Sequence, residues 1–380
     1  MNISERALFD ISENITYLNT ANIGPRLKEV SEAGYQAIEV FSKPWLITSD
    51  DWFLNPEILR KEFALFIEVN PDNIALVPSA SYGIAIAAKN IPIKLNANIV
   101  VLEEQYPSNI YAWRRKADES RATVRVARRK TELSLTESVL NQIDSNTAVV
   151  AIPNCHWTDG KLLDLVAVSK ASQTVGAALV VDASQSLGAL PIDFNAVQPD
   201  FVVSVGYKWL LGPYGIGYLY VARKWQEIGI PLEESWLTRH GSEDFAKLVD
   251  YVDEYRPGAR RFDFGEFPQF ISIPMAIAAM SQLNSWGSLY IQKELFARTQ
   301  QIRAICDLLN LETLSCEQSS GHIVGIKLNA KQQPTKLATA LKSANIHTSV
   351  RGDTMRVAPH LHTNKQDLER FYSALEEYIA

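Results

Sequence analysis

Cysteine is scarce in this 380-residue chain, which contains only Cys155, Cys306 and Cys316. Three scattered cysteines cannot form the disulfide framework of a small secreted domain, and they suit a reducing compartment. Long apolar runs are also missing, because no stretch approaches the roughly 18–20 uncharged residues of a membrane-spanning helix. The first ten residues carry several charges and lack the apolar segment of a signal peptide. We therefore expect a soluble, cytoplasmic protein with no membrane partner.

An excess of one charge sign is absent too, since the net charge is −6 and acidic and basic residues are interspersed. The basic cluster at 121–130 alternates with apolar residues, which is typical of a solvated strand face rather than a nucleic-acid surface. The six histidines show no metal-ligand spacing. His360 and His362 lie on a strand-to-helix loop, and we interpret them as surface or carboxylate-site residues. We predict neither a nucleic-acid partner nor a metal.

Short apolar runs that alternate with helical segments are abundant, in a chain that is 47% hydrophobic. They are apolar on both faces, which is typical of parallel strands covered by helices, and they span 98–102, 148–152, 178–182, 201–205 and 217–221. Beyond about Gly265 the pattern changes to long helices, a strand over 321–328 and a closing helix. We predict a large α/β domain over 16–264 and a smaller α+β domain over 265–380, with 1–15 packing alongside the latter.

A lysine follows one predicted strand. Lys208 stands just after the run 201–205, and the carboxyl ends of parallel strands face the crevice where such sheets bind ligands. A desolvated lysine has a lowered pKa and can act as a Schiff-base nucleophile. Most lysines beside an apolar run simply reach to solvent, so this position alone does not decide the role.

A carboxylate closes the preceding strand. Asp182 is followed by Ala-Ser-Gln185, and such a carboxylate is ordinarily a helix N-cap. The alternative is an anion against a protonated pyridine nitrogen, which makes a bound ring an electron sink. Because Asp182 and Lys208 end consecutive predicted strands, adjacent strands would bring both to one crevice, and this coincidence favours the functional interpretation.

Small residues at 79–83 join a short strand to a helical segment. Their backbone N–H groups are free to hold a dianion, and Ser81 adds a hydroxyl. An ordinary serine N-cap is the alternative interpretation.

Six segments of this kind occur in one order: 79–83 (SASYG), 105–109 (QYPSN), 156–160 (HWTDG), 182–185 (DASQ), 206–213 (GYKWLLGP) and 351–356 (RGDTMR). Together they resemble the class V aminotransferases, fold-type I enzymes that use pyridoxal 5′-phosphate (PLP). This family includes cysteine desulfurases, selenocysteine lyases, kynureninases and isopenicillin-N-epimerase-like proteins. The resemblance covers roughly residues 17–377. It implies a large domain with a seven-stranded, mostly parallel sheet, a smaller C-terminal domain, and a homodimer with active sites at the subunit interface.

The resemblance also implies how the cofactor is held. Lys208 matches the lysine that forms the Schiff base with PLP, and Asp182 matches the acid paired with the pyridine nitrogen. Gln185 matches the amide that hydrogen-bonds the phenolate oxygen of the ring. Ala80 and Ser81 match the turn that binds the phosphate.

Other positions depart from the family pattern or concern the substrate. Tyr106 falls where many members stack a histidine on the ring, Tyr207 replaces the histidine before the lysine, and Trp157 replaces an asparagine near the phenolate oxygen. The Trp157 indole either donates its N–H there or serves as packing. Arg356 matches the arginine that binds the substrate α-carboxylate, and Asn22 is a further candidate for that task. Gly265-Glu266 falls where many members place Gly-Thr, whose threonine reaches the neighbouring subunit's phosphate.

One family element is absent. Cysteine desulfurases carry a mobile loop with a nucleophilic cysteine between the positions that match Arg351 and Arg356, whereas this chain has only Gly-Asp-Thr-Met there. The resemblance thus excludes persulfide transfer through that loop. Cys155 lies either near the site or simply in the core as a small hydrophobe.

For the reaction, the resemblance implies that the substrate amine displaces Lys208 to form an external aldimine, after which Lys208 acts as general base at the α-carbon. Transamination, loss of a β-substituent and epimerisation share these residues. We expect an aminotransferase-type reaction on an amino acid, with a C–S or C–Se β-lyase or an epimerase as alternatives. A catalytically silent PLP-fold binding protein is the alternative from another class, and the joint presence of Lys208, Asp182 and Arg356 disfavours it.

Overall fold

The structure is a computed structural model that describes residues 5–130, 132–328 and 332–379. Within these ranges the strands are β1 (Thr16–Tyr17), β2 (Ile74–Val77), β3 (Asn98–Leu102), β4 (Thr123–Ala127), β5 (Thr147–Pro153), β6 (Ala178–Asp182), β7 (Phe201–Val205), β8 (Gly217–Val221), β9 (Glu312–Thr313), β10 (Val324–Lys327), β11 (Ile346–His347), β12 (Ser349–Arg351) and β13 (Thr354–Val357). The α-helices are α1 (Lys28–Phe41), α2 (Ser49–Phe66), α3 (Ala80–Asn90), α4 (Tyr111–Ser120), α5 (Leu135–Leu140), α6 (Leu165–Val175), α7 (Phe194–Val197), α8 (Arg223–Ile228), α9 (Ser272–Trp286), α10 (Ser288–Leu308), α11 (Pro334–Ser343) and α12 (Lys365–Ile379). In the part of the chain that is described, no helix is both long and apolar enough to cross a membrane.

The main sheet has seven strands in the order β2-β8-β7-β6-β5-β3-β4. Only β8 runs against its neighbours, so the predicted seven-stranded, mostly parallel sheet is confirmed. Alternate residues of its strands pack into two separate hydrophobic cores. Val181 and Val202 belong to one core, and Val180 and Val203 belong to the other. Helices therefore cover both faces, which is why these strands are apolar throughout. In the register of β6 and β7, Asp182 pairs with Val203, so both strands end at the same edge.

A second sheet, β12-β13-β10-β9, is antiparallel and has its own core with α11 and α12. Helix α9 lies beyond the predicted domain boundary at 264, yet it packs on α1 and α2 and buries Ile273 and Leu283 in a core of the main sheet. The division into 16–264 and 265–380 therefore stays a prediction.

The N-terminal segment is joined to the C-terminal part of the chain. Strand β1 pairs in parallel with β11, and Leu18 N donates to His347 O at 2.9 Å while Ala358 N donates to Leu18 O at 2.8 Å. This pairing fixes the start of the loop at 18–24, which continues to the carboxyl edge of the main sheet.

Candidate active site

Side chains from several loops meet in a narrow cavity at the carboxyl edge of the main sheet. It is lined by Gln105, Tyr106, Pro153, Cys155, Trp157, Asp182, Ser184, Gln185 and Lys208. Five predicted site residues, Tyr106, Trp157, Asp182, Gln185 and Lys208, thus lie together. These residues are far apart in sequence. They come together because β5, β6 and β7 are parallel neighbours in the sheet, so their ends lie side by side.

Lys208 is buried, with 6% of its surface exposed. Its Nζ lies 5.3 Å from the Tyr106 ring centroid, so the side chain extends over that ring. Burial lowers the pKa of the amine to about 8; Asp182 opposes this shift, while Arg356 and Arg351 reinforce it. About a tenth of the amine is therefore uncharged and nucleophilic at pH 7, far more than for a solvated lysine.

The loop at 18–24 holds the backbone around this lysine. Gly24 N donates to Tyr207 O at 2.8 Å. A Cβ at Gly24 would lie 2.1 Å from Lys208 O, so only glycine permits this approach. Asn22, on the same loop, is exposed and is not among the residues that line the cavity.

Asp182 is buried at the end of β6, with 6% of its surface exposed. Its Oδ1 accepts a hydrogen bond from Ser184 N at 3.0 Å and so closes a local turn. No helix begins there, since the next one starts at Phe194, and the helix N-cap interpretation is therefore not met. Within the described residues it forms no ion pair, with Lys208 or with any other cation. Its second oxygen is therefore available to a cationic group in the cavity.

The Gln185 amide is oriented from both ends. Its Nε2 donates to Ala21 O at 2.9 Å, and its Oε1 accepts from Trp209 Nε1 at 3.0 Å. An amide nitrogen carries two hydrogens, so one remains for an acceptor in the cavity.

Two aromatic side chains form one wall of the cavity. The Tyr106 and Trp157 rings meet edge to face with centroids 5.5 Å apart. Trp157 Nε1 donates to Glu104 O at 2.7 Å. Because an indole has a single N–H, Trp157 offers its ring here and has no donor left for a cofactor oxygen.

The predicted phosphate turn lies at the same sheet edge but outside the residues that line the cavity. Ala80 begins α3 and is buried, Ser81 is exposed, and the Ser79 and Ser81 hydroxyls are 2.9 Å apart. A Cβ at Gly83 would lie 2.7 Å from the Val203 side chain, so this glycine lets α3 lie close on β7. The first turn of α3 thus presents free N–H groups near the end of that strand.

Two further departures from the family pattern also lie outside the cavity lining. The Tyr207 ring packs at a tilt of 41° against Tyr214 with centroids 4.6 Å apart, and burial raises the pKa of Tyr207 to about 12. Gly265 N donates to the Glu233 carboxylate, and Glu266 is exposed. The Gly265 amide is therefore already engaged within its own chain.

Arg356, on β13, carries a buried cation with little compensation. Its guanidinium is 1% exposed, and Nη1 donates to Trp157 O at 2.6 Å. Nε and Nη2 have no hydrogen-bond partner among the described residues. Burial and the neighbouring Arg351 lower its pKa to about 9, which still leaves it charged at neutral pH. Buried donors of this kind are normally satisfied, so the site fits an anionic ligand.

The surface interpretation of His360 and His362 is wrong, because both side chains are 0% exposed. They stack with centroids 6.4 Å apart and pack against Phe9. No group of three or more possible metal ligands occurs in the described parts of the chain. Cys155 satisfies both of its interpretations: it lines the cavity, and burial raises the pKa of its thiol to about 12.

Three residues that contribute to the site were missed in the sequence. Ser184 lines the cavity and its buried hydroxyl has no partner within the described ranges. Gly24 and Ala21 hold Lys208 and Gln185 through their backbones. A backbone contact carries no side-chain signature, although a Gly-Pro pair at 24–25 does mark a tight passage of the chain.

Comparison with known proteins agrees with this geometry. The family model described as aminotransferase class-V matches residues 54–370. An uncharacterized aminotransferase from Bacillus subtilis (strain 168) is 27% identical over 383 residues, which cover 99% of this chain and 96% of that one.

Two solved structures share the fold. The apo cysteine desulfurase from Thermococcus onnurineus NA1 has a TM-score of 0.86 at 20% identity, covering 100% of this chain and 98% of that one. A C-DES variant with glycine covalently linked to its PLP cofactor has a TM-score of 0.87 at 18% identity, covering 97% and 98%. With the family match spanning most of the sequence and the main sheet arranged as that family requires, this chain belongs to the class V aminotransferases, a PLP-dependent family, and is an enzyme of the transferase or lyase kind.

Proposed function

We propose that the protein binds PLP covalently through Lys208 and catalyses an aminotransferase-type reaction at the α-carbon of an amino acid. The observation that carries the substrate class is Arg356, a buried guanidinium beside the cavity, two of whose nitrogens have no partner among the residues that the structure describes. An α-carboxylate is the group that a planar guanidinium binds through two parallel hydrogen bonds.

The side chains present fit PLP. Asp182 would hold the pyridine nitrogen, the remaining Gln185 N–H the phenolate oxygen, and the Tyr106 face the ring. The first turn of α3 with Ser81 would hold the phosphate. When bound, PLP supplies an electron sink for charge that develops at the substrate α-carbon.

The remaining chemistry falls to residues of this chain. Arg356 would orient the substrate through its carboxylate. Lys208, whose pKa of about 8 is close to neutral, can take a proton from the α-carbon and return one elsewhere. Cys155 has no role in these proton transfers, because a thiol with a pKa of about 12 supplies almost no thiolate at neutral pH.

The β12–β13 hairpin disfavours desulfurase chemistry that depends on a cysteine carried by a mobile loop. Only Gly352 and Asp353 connect the two strands, and Gly352 has φ +60°. A two-residue connection with a left-handed glycine is a tight turn. It leaves no room for a mobile loop carrying a nucleophilic cysteine.

The decisive experiment incubates the PLP-loaded enzyme with a panel of amino acids, with and without a keto-acid acceptor. An aminotransferase needs the acceptor for continued turnover and yields keto acid with no free ammonia. Keto acid plus ammonia without an acceptor identifies a β-lyase, and inverted configuration identifies an epimerase. A protein with no absorbance change for any amino acid would instead be a silent binding protein.

Replacing Arg356 by alanine should reduce kcat/KM for amino acids roughly 30- to 5,000-fold, because losing one partner of a buried charged pair costs about 2–5 kcal/mol. Arg356→Lys should recover only part of this, since an ammonium cannot make the forked contact. Steady-state kinetics measures the effect, and the absorbance of bound PLP should be unchanged as the control. An unaltered kcat/KM would move the carboxylate site to another residue.

We also propose a homodimer. Five aromatic side chains form one connected surface, in which neighbouring ring centroids lie 5.1–5.9 Å apart: Phe41, Trp52, Trp236, Phe245 and Phe270. Phe41 is 47% exposed and Phe245 44%. Connected apolar surface of this kind marks protein–protein interfaces, and two-fold dimers are the commonest homo-oligomers.

Sedimentation should therefore give a dimer at micromolar concentration. Phe41→Asp is expected to shift it toward monomer, because a carboxylate in an apolar interface is desolvated without a partner. Leu308→Asp is the matched control, since Leu308 is 73% exposed on α10, away from the aromatic surface. A wild-type monomer would contradict the proposal.

A further inference from the structure

Two arginines project from the same face of the β12–β13 hairpin. In its register Ser349 lies opposite Arg356, and Arg351 is two residues beyond Ser349 on the same strand. Side chains two residues apart share a face, and diagonal neighbours of this kind lie within reach of long side chains, about 7–8 Å apart. The chain thus places two cations next to each other.

Both arginines contact Trp157, which borders the cavity of Lys208. Arg356 donates to the Trp157 carbonyl, and the Arg351 guanidinium carbon lies 5.5 Å from the Trp157 ring centroid. Trp157 and Arg351 also line a cleft of about 840 Å³ that adjoins the cavity. The Arg351 side chain is therefore directed to the space that a substrate side chain would enter.

Arg351 has no acidic partner. Within the described ranges it forms no ion pair, and its one hydrogen bond goes to the neighbouring Val350 carbonyl at 2.8 Å. The juxtaposition of Arg351 and Arg356 is repulsive, and each desolvated donor left unpaired costs free energy. An anionic ligand between them removes both penalties.

The other charges of the cleft also favour an anion. Three of its five acidic residues are paired with two arginines: Glu103 with Arg128 at 2.6 Å, and Glu104 and Asp159 with the shared Arg129. Only Glu312 and Asp353 are left without such a partner among the described residues. Against them stand four unpaired cations in the described lining, namely Arg351, Lys130, Lys161 and Lys327.

We propose that this enzyme selects amino acids whose side chain ends in a carboxylate, with Arg356 binding the α-carboxylate and Arg351 the side-chain carboxylate. This inference rests on the proposed function and names its substrate class. The Arg351 guanidinium, whose carbon lies 5.5 Å from the Trp157 ring centroid, is preorganised for a planar anion. The unpaired Lys side chains of the cleft attract the anionic amino acid from solution.

The kinetic test compares matched pairs, L-glutamate with L-glutamine and L-aspartate with L-asparagine, which differ in charge and hardly in shape. Wild type should prefer the acid of at least one pair by about tenfold or more in kcat/KM, the size of a charge-assisted hydrogen bond. Arg351→Gln should bring that ratio close to one, and Arg351→Lys should retain part of it. Lys224→Gln, which removes an equal charge from an exposed position outside the cleft, should leave the ratio unchanged.

Calorimetry on the PLP-loaded enzyme separates this inference from the reaction itself. Glutarate, which has two carboxylates and no amine, should bind with a Kd at least about tenfold below that of butyrate. Arg351→Gln should remove the difference. Equal binding of the two acids, a wild-type ratio of acid to amide near one, or a ratio that survives in Arg351→Gln each overturns the inference. If no amino acid reacts yet glutarate shows this preference, the proposed reaction fails while the dicarboxylate site stands.

Discussion

Replacing Lys208 by alanine should abolish the covalent attachment of PLP and lower turnover by about 10²–10⁴-fold or more, the usual contribution of a general base alone. The loss is large because one amine is proposed both to hold the cofactor and to move the α-proton. Borohydride reduction followed by peptide mapping measures the attachment directly. The substitution leaves the fold intact if circular dichroism and the thermal midpoint stay close to wild type.

Lys224→Ala is the matched control, because Lys224 is an exposed lysine in an ion pair with Asp200. It should retain the reducible adduct and full activity. An adduct that maps to any lysine other than Lys208 contradicts the assignment.

The pH dependence of attachment tests the same residue. Burial lowers the Lys208 pKa from 10.5 to about 8, and only the uncharged amine attacks an aldehyde. The rate at which the apoprotein captures PLP should therefore rise with pH and level off above about 8. Arg356 contributes to the lowered pKa, so Arg356→Ala should move the midpoint upward. A wild-type midpoint near 10.5 would show that the amine is solvated.

Asp182→Asn is expected to lower turnover by about 10²–10³-fold, the cost of removing a preorganised electrostatic group. The amide oxygen can still accept the hydrogen bond from Ser184 N that now reaches Oδ1 at 3.0 Å, so the turn is preserved. What is lost is the negative charge that would keep the pyridine nitrogen protonated. Near-normal turnover in Asp182→Ala would sink this role.

A buried carboxylate elsewhere on the sheet provides the control. Asp200 precedes β7 and accepts hydrogen bonds from Leu179 N at 2.9 Å and Trp225 Nε1 at 2.7 Å, at the edge opposite the cavity. Asp200→Asn should reduce stability and leave turnover per folded molecule unchanged. Chemical denaturation and active-site titration with borohydride distinguish the two effects.

The strands buried on both faces were the most predictable part of the fold. The runs 178–182, 201–205 and 217–221 coincide residue for residue with β6, β7 and β8, because continuous apolar sequence is what such strands require. The direction of β8 was not foreseen. Its eleven-residue connection at 206–216 contains no helix and is too short for a parallel crossover, so the antiparallel pairing follows from chain length.

The parts of the site that depend only on residue type and on the order of the strands along the chain were predictable. Strand ends at 182 and just before 208 placed the carboxylate and the lysine at one edge. The donor state of Trp157 was not predictable, because it depends on where the Glu104 carbonyl lies in space. Nor was the burial of His360 and His362, since polar loop residues enter a core only when distant aromatic side chains, here Phe9, pack against them.

The loop at 18–24 has a consequence for the order in which the protein folds. The start of the loop is anchored by β11 and Ala358, which leave the ribosome about 320 residues after the loop itself. During synthesis the main sheet can assemble with Lys208 already in place, while Gln185 lacks the Ala21 carbonyl that orients it. Closing so long a loop is entropically costly and is repaid only when its contacts form. The cavity is therefore completed among the last events of folding, and a chain stopped before residue 346 would carry the lysine without the segment that closes over it.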